Sequence, residues 1–262
     1  RHPSIVRVRI GARADGTVTG ASIHVTLDGG AYSTLSPIVL WRSTVHAAGP
    51  YRWKAVGIDS RAVATNTVPN GAFRGFGEPQ VVFAIESAMD ELAAALGWDP
   101  LEFRLNNVIR TDGDITATGQ PVTSPGMIEV LEKAAAEIRW KEKYHDPAPG
   151  NLTLDGAPIR GIGCSASFYG VGLGAEGKRL DRAGAYVQVE ADGSTRVFIG
   201  NTEMGQGARG VISQIVAESL AAPFESIHVN RADTSRVPDS GPTVASRTTV
   251  MSGGAVKNAC QA

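Results

Sequence analysis

Three short stretches of the chain gather polar and flexible residues in patterns suited to holding a ligand. They are residues 71–80 (GAFRGFGEPQ), 202–207 (TEMGQG) and 242–249 (PTVASRTT), and each runs into a predicted helix. A helix start offers unpaired N–H groups and the positive end of its dipole, and flanking glycines let a ligand approach the backbone. The chemistry such places suggest is the binding of an anion, most simply a phosphate-bearing cofactor cradled by backbone amides. Ordinary turn chemistry is the other reading of the same spacing. Neither GFG nor GQG extends to the G-x-G-x-x-G of a dinucleotide fold with its later acidic residue, and no P-loop lysine is present.

Composition narrows the partners. The 262 residues carry 25 Lys and Arg against 26 Asp and Glu, a formal charge of -1, so no cationic excess points to nucleic acid or an anionic membrane. A small, weakly charged ligand fits better. Cys164 and Cys260 are far apart and form no C-x-x-C pair, so they supply no zinc or iron–sulfur ligand set. Two buried thiols in a reducing cytoplasm are the simple expectation. No apolar run approaches the roughly 20 residues of a membrane span. The chain begins with Arg1 and ends within a predicted helix, so both ends look cut from something longer.

Elements must position the three loops. Residues 5–27 alternate apolar and polar side chains about an Ala14-Asp15-Gly16 turn, which predicts a hairpin. Residues 36–48, around Trp41, Arg42 and His46, are too irregular to assign, and 56–64 read as a strand. After the first loop Val81, Ile85, Met89, Leu92 and Leu96 recur at helical spacing from Pro79 to Gly97. Asp99-Pro100-Leu101-Glu102 starts a second helix, and Ser124-Pro125 a third. Residues 159–169 read as a strand, 183–199 as a hairpin about Asp192-Gly193, and 227–229 as a short strand. A helix carrying Ile212, Ile215, Val216 and Leu220 follows the second loop.

Strands and helices in runs predict an α+β fold of two layered subdomains with mixed sheets, residues 1–145 and 159–262, joined by a polar, proline-rich linker at 146–158. Both halves follow a hairpin, a glycine-bracketed loop and a helix.

At the three loops the sequence resembles the molybdenum-cofactor-binding large subunit of the molybdenum hydroxylases, the xanthine dehydrogenase and aldehyde oxidase family. The motifs occur in the family's order, and the resemblance spans essentially the whole chain. It implies a molybdenum–pterin cofactor, molybdopterin or its cytosine dinucleotide form, with no protein side chain bound to the metal. By motif match, Arg74 and Ala245 line the molybdenum centre. Met204, Gly205, Gln206, Gly207 and the loop of Thr243, Val244, Ala245, Ser246, Arg247 and Thr248 hold the pterin and its phosphate.

Phe76 falls where the family stacks an aromatic face on a flat substrate ring, a contact worth roughly 0.5–1.5 kcal/mol; on its own pattern it reads equally as a core aromatic. Arg42 lies 32 residues before Arg74, the spacing of the arginine with which purine-oxidising members bind substrate and steady charge in catalysis. No motif surrounds Arg42, so a surface arginine is its other reading. A second substrate-side aromatic could be Phe168, Tyr169 or Leu173.

The implied reaction is hydroxylation of an electron-poor carbon, with water as oxygen source and a glutamate as proton acceptor. A xanthine- or hypoxanthine-like N-heterocycle is the first substrate class. An aldehyde, an aromatic acid or its thioester, or a non-catalytic cofactor-binding module are the alternatives. The resemblance places the catalytic glutamate beyond residue 262 and another substrate loop before residue 1, so this part alone is expected to be inactive. It also implies 2Fe–2S and FAD groups on partner subunits or further sequence, in a higher-order complex. Glu78 reads as a helix-start residue, Glu203 as a partner for backbone amides, and His46 and His228 as structural.

Overall fold

A computed structural model describes residues 1–145, 161–172 and 181–262. The chain folds as two units, Arg1–Tyr169 and Gly170–Ala262, each built on its own three-stranded sheet. The expected linker at 146–158 and residues 159–160 lie outside the described residues.

In unit 1, β1 (Ser4–Ala12) and β2 (Val18–Gly30) pair antiparallel, with Ser4 opposite Leu27 and Ile10 opposite Ala21. The turn between them needs Gly16: its φ is 78°, and a Cβ there would lie 2.6 Å from the Trp98 ring. β3 (Ala55–Ala64) joins the other edge of β2 in parallel. Ile23, Val25 and Leu27 bury the inner face, while Ser22 and His24 are exposed and Thr26 is half-buried, as the period of two requires.

Between β2 and β3 runs α1 (Ser36–His46), in the stretch that periodicity leaves unassigned. Its buried face is Ser36, Val39, Arg42, Ser43 and His46. The spacing is helical, but four of these five side chains are polar, so hydrophobic periodicity misses it. α2 (Glu78–Leu96) buries Val81, Ile85, Met89 and Ala93 and ends at Gly97 with φ 71°. α3 (Pro100–Asn107) is capped by Asp99, whose carboxylate accepts from the amides of Leu101 and Glu102, an arrangement typically worth about 1 kcal/mol.

Two expectations need correction. The helix assigned to Ser124-Pro125 begins later, as α4 (Met127–Glu137), because Ser124 is left-handed (φ 54°) and donates its amide to Asp112. A further short helix, α5 (Trp140–His145), follows. Residues 161–169 form no strand and pack with unit 1. The Ala166 amide, which a strand would have paired with another strand, donates to the Glu86 carboxylate at 2.8 Å.

That carboxylate is the polar centre of unit 1. It accepts from Tyr51 Oη at 2.6 Å and from Arg104 Nε at 2.8 Å, while Arg104 also donates to Asp90 and to the carbonyls of Pro100 and Glu86. Burial and the neighbouring Glu86 charge push the Tyr51 hydroxyl well above its ordinary range. Every strong group here has a partner, which is what makes a buried charge tolerable.

Unit 2 repeats the path on a smaller scale. β4 (Tyr186–Val189) and β5 (Thr195–Phe198) form a hairpin, α6 (Ala208–Leu220) crosses over, and β6 (Ile227–Val229) pairs in parallel with β5. Val197, Ile199, Ile212, Val216, Ile227 and Val256 make the core. A wide π turn at Thr248–Ser252 runs into α7 (Gly253–Gln261). The α+β expectation holds. The shared topology also pairs the loops differently from their sequence order: loop one (residues 65–77) and loop three (230–247) each follow the third strand, whereas loop two (200–207) precedes the crossover helix.

Candidate cofactor site

Loop one is moulded onto α1. Gly75, Phe76 and Gly77 are three successive left-handed residues with φ of 92°, 52° and 97°. A Cβ on Gly77 would lie 2.4 Å from the Val39 carbonyl oxygen and 2.5 Å from Ser43 Oγ, and that hydroxyl sits 2.9 Å from the Gly77 carbonyl. The folded turn leaves Arg74 exposed and puts Phe76 at 9% exposure among the core residues. In this arrangement the Phe76 ring contributes to packing, and a substrate could meet only its remaining edge. Phe73, beside it, is exposed under the Arg1 guanidinium, 4.7 Å from ring centroid to Cζ.

Arg42 is fully buried, which removes the surface reading. Its guanidinium carbon lies 4.3 Å from the centroid of the Tyr169 ring, a favourable cation–π placement. One turn on, His46 stacks on the same tyrosine at 5.1 Å and 15°, with Phe168 tilted at 5.6 Å. His46 Nδ1 is 2.7 Å from the Arg42 carbonyl oxygen, which can only accept, so the nitrogen carries the proton. Burial depresses the His46 pKa below its ordinary value. Burial raises the Glu78 pKa, an effect that the Arg42 charge partly offsets. Phe168 and Tyr169 thus both gather at α1, while Leu173 lies outside the described residues.

Loops two and three belong together in unit 2. The Thr202 amide donates to Thr243 Oγ1 at 2.9 Å, and the Gly200 amide to Ser240 Oγ at 2.8 Å. Residues 202–207 are exposed, and Gly205 and Gly207 are left-handed (φ 94° and 79°) with nothing within 4 Å of a Cβ built on either. Gln206 turns back on its own loop, accepting from the Met204 amide and donating to the Thr202 carbonyl. Ala245 and Ser246 are left-handed despite carrying side chains (φ 53° and 56°), Ala245 buried and Ser246 exposed. Arg247 is fully buried, with its guanidinium committed to Asp181 and to the carbonyls of Arg182, Ser240 and Pro242. It holds the loop's backbone, whereas Val244 and Thr248 are half-buried along it.

These groups fit the polar edge of a pterin better than a phosphate. Asn201 Oδ1, buried at the base of loop two, has no hydrogen-bond partner among the described residues and can accept an N–H. The open glycine backbone of loop two supplies a surface for a flat ring. By contrast, the start of α6 already holds an anion: Glu203 accepts from the amides of Gly207, Arg209 and Gly205, which keep its pKa low. The expectation that Glu203 partners backbone amides holds, and in this structure its carboxylate pairs with the amides that a phosphate would use. Asn201, directly before TEMGQG, could have been reached by extending that motif one residue; Asp181 and Tyr169 carry no sequence signal of their contacts.

Each unit, taken by itself, presents glycine-rich and left-handed loops of the kind that let a ligand approach the backbone closely. Two families, both described as molybdopterin cofactor-binding domain, match residues 1–108 and 133–262. A protein of Bacillus subtilis (strain 168) described as a probable xanthine dehydrogenase subunit is 36% identical over 252 residues, covering 96% of this chain and 32% of its own length. A putative xanthine dehydrogenase molybdenum-binding subunit of Escherichia coli (strain K12) is 34% identical over 99% of this chain and 34% of its own. The solved aldehyde oxidoreductase of Desulfovibrio gigas superposes with a TM-score of 0.88 at 31% identity, over 100% of this chain and 28% of that one. The chain belongs to the molybdopterin-binding xanthine dehydrogenase and aldehyde oxidase family, and it spans about a third of the length of these two bacterial relatives and 19% of longer ones such as the xanthine dehydrogenase of Dictyostelium discoideum. Among the described residues no helix is long and apolar enough to cross a membrane.

Proposed function

We propose that this chain is the cofactor-holding part of an oxidoreductase that hydroxylates an N-heterocycle of the xanthine or hypoxanthine type, with water as oxygen source. The observation that carries the reading is Arg42: it is fully buried on α1 of unit 1, at the position that the family resemblance matches to the substrate-binding arginine of purine-oxidising members. The cofactor, when bound, supplies two-electron oxidation at the ring carbon. Met204 to Gly207, the Asn201 acceptor and the Thr243–Thr248 loop would hold its pterin side, and motif match assigns Arg74 and Ala245 to the lining of the metal. Arg42 steadies negative charge on the heterocycle, and Phe76 limits the plane in which the ring can lie.

One observation favours a second substrate class. The Tyr169 ring covers the Arg42 guanidinium, an arrangement suited to an aldehyde or another substrate that presents no anionic oxygen to it. Kinetics of Arg42→Ala in the complete enzyme separate the two. Purine turnover should fall by on the order of a hundred-fold, about 3 kcal/mol of transition-state stabilisation, with aldehyde turnover unchanged. Unchanged purine turnover rejects the first reading.

We further assign the proton-accepting glutamate and the 2Fe–2S and FAD groups to partner subunits or further sequence, within a larger cytoplasmic complex; this part alone would not turn over. Glu203 is committed to backbone amides, and burial pushes the Cys164 thiol up to about 11, which suits neither to a redox or basic role.

A further inference from the structure

We propose that Asp181 and Arg247 form a positioning clamp that sets the third loop in its cofactor-holding shape, an inference that rests on the cofactor reading above. Ala245 and Ser246 adopt left-handed backbone that side-chain-bearing residues disfavour, so something outside the pair must fix it.

The Arg247 side chain supplies that constraint. Its Nε donates to Asp181 Oδ1 at 2.9 Å, one terminal nitrogen to the carbonyls of Ser240 and Pro242 at 3.0 Å each, and the other to the Arg182 carbonyl. The planar fork thus ties the two sides of the loop entrance to residues 181–182, a geometry that a lysine cannot reproduce.

Two glycines exist around this clamp because nothing larger fits. A Cβ on Gly241 would lie 2.7 Å from an Arg247 terminal nitrogen and 2.9 Å from the Arg182 carbonyl. One on Gly172 would lie 2.5 Å from Asp181 Oδ2, and the Gly172 amide donates to the Ala245 carbonyl at 2.9 Å. The left-handed pair is therefore gripped from both ends, at Ala245 through Gly172 and at Arg247 through Asp181. The hydrophobic core of unit 2 lies elsewhere, on β5, α6, β6 and α7.

The test uses the complete enzyme with Arg247→Lys and, as a milder change, Asp181→Asn. Molybdenum per protein is measured by elemental analysis and pterin by fluorescence after oxidative release, beside circular dichroism and thermal unfolding of cofactor-free protein. Loss of cofactor content by about ten- to a hundred-fold at limiting supply, as for supporting residues around a metal, with secondary structure retained, is the expected result. Wild-type occupancy in both variants overturns the clamp. So does loss of occupancy only in step with loss of folded structure in both, which would leave the pair a mere support of the fold. Wild-type enzyme without molybdenum or pterin would instead overturn the cofactor reading itself.

Discussion

The loops that follow the third strand of each unit lead to helices by different physical means. In unit 1 the turn at Gly75, Phe76 and Gly77 is fixed by close backbone packing against Val39 and Ser43. In unit 2 the turn at Ala245 and Ser246 is fixed by the buried Arg247 charge. Charge is used in unit 1 too, but away from the loop, where Glu86 and Arg104 pin α2, α3, Tyr51 and residue 166 together. Steric fixing here holds one strained side-chain-bearing residue, Phe76, between two glycines, whereas the charged fork holds two in succession, Ala245 and Ser246.

The largest effect is expected at the unit 1 pin. Arg104→Ala leaves the Glu86 carboxylate buried without its cation, a change that costs about 3–5 kcal/mol. All four tryptophans, Trp41, Trp53, Trp98 and Trp140, lie in unit 1, so denaturant unfolding followed by their fluorescence reads this loss directly. A cost below about 1 kcal/mol, the scale of an exposed pair, would show the network to be incidental.

Glycine substitutions separate the loops further. Gly77→Ala meets the Val39 carbonyl and must shift α1 or the loop, costing roughly 3 kcal/mol from overpacking and left-handed strain together. Gly205→Ala has the same sign of φ but open space around it, so only the dihedral penalty of about 1–2 kcal/mol applies. Equal losses in urea titrations would mean that packing does not fix loop one.

Acid sensitivity offers a smaller test. Burial holds His46 below the ordinary imidazole value near 6.5, so the unfolded chain takes the proton first. Its contribution is fully present above about pH 6.5 and is lost as pH falls through the depressed folded value. Burial also leads the depression at His2, whose Nε2 lies 2.8 Å from Ser36 Oγ. A His2→Asn background removes that second imidazole, and adding His46→Gln should reduce the remaining loss of stability between pH 7 and 5, while Glu78, whose pKa burial raises, contributes with the opposite sign in both. A slope unchanged by His46→Gln would contradict its neutral state.

The smallest effect is expected at Glu203. Replacing it with Gln removes the charge that occupies the start of α6, and calorimetry with inorganic phosphate should then show tighter binding than wild type. No gain would mean that these amides are closed to anions for another reason.

Structure is legible in the sequence where burial follows period. The hairpins, α2, α3, α6 and the short β6 all announce themselves by alternation, helical recurrence or a cap such as Asp99. α1 does not, because its inward face is mostly polar, Ser36, Arg42, Ser43 and His46, with Ser36 and Ser43 bonded to His2 and Gly77 outside the helix. The loops are recognisable by their motifs, yet the roles inside them are less so. Motif match puts Arg247 among cofactor contacts, and only its buried hydrogen bonds reveal that it holds the backbone. Phe76 likewise sits in a motif that favours a ligand, while three successive positive φ angles turn its ring into the core.

Whether loops two and three hold the molybdenum–pterin group is decided most directly by anomalous diffraction at the molybdenum edge from crystals of the complete enzyme. A metal peak is expected beside Ala245, with pterin density along residues 204–207 and against Asn201. A peak remote from both loops would contradict this placement.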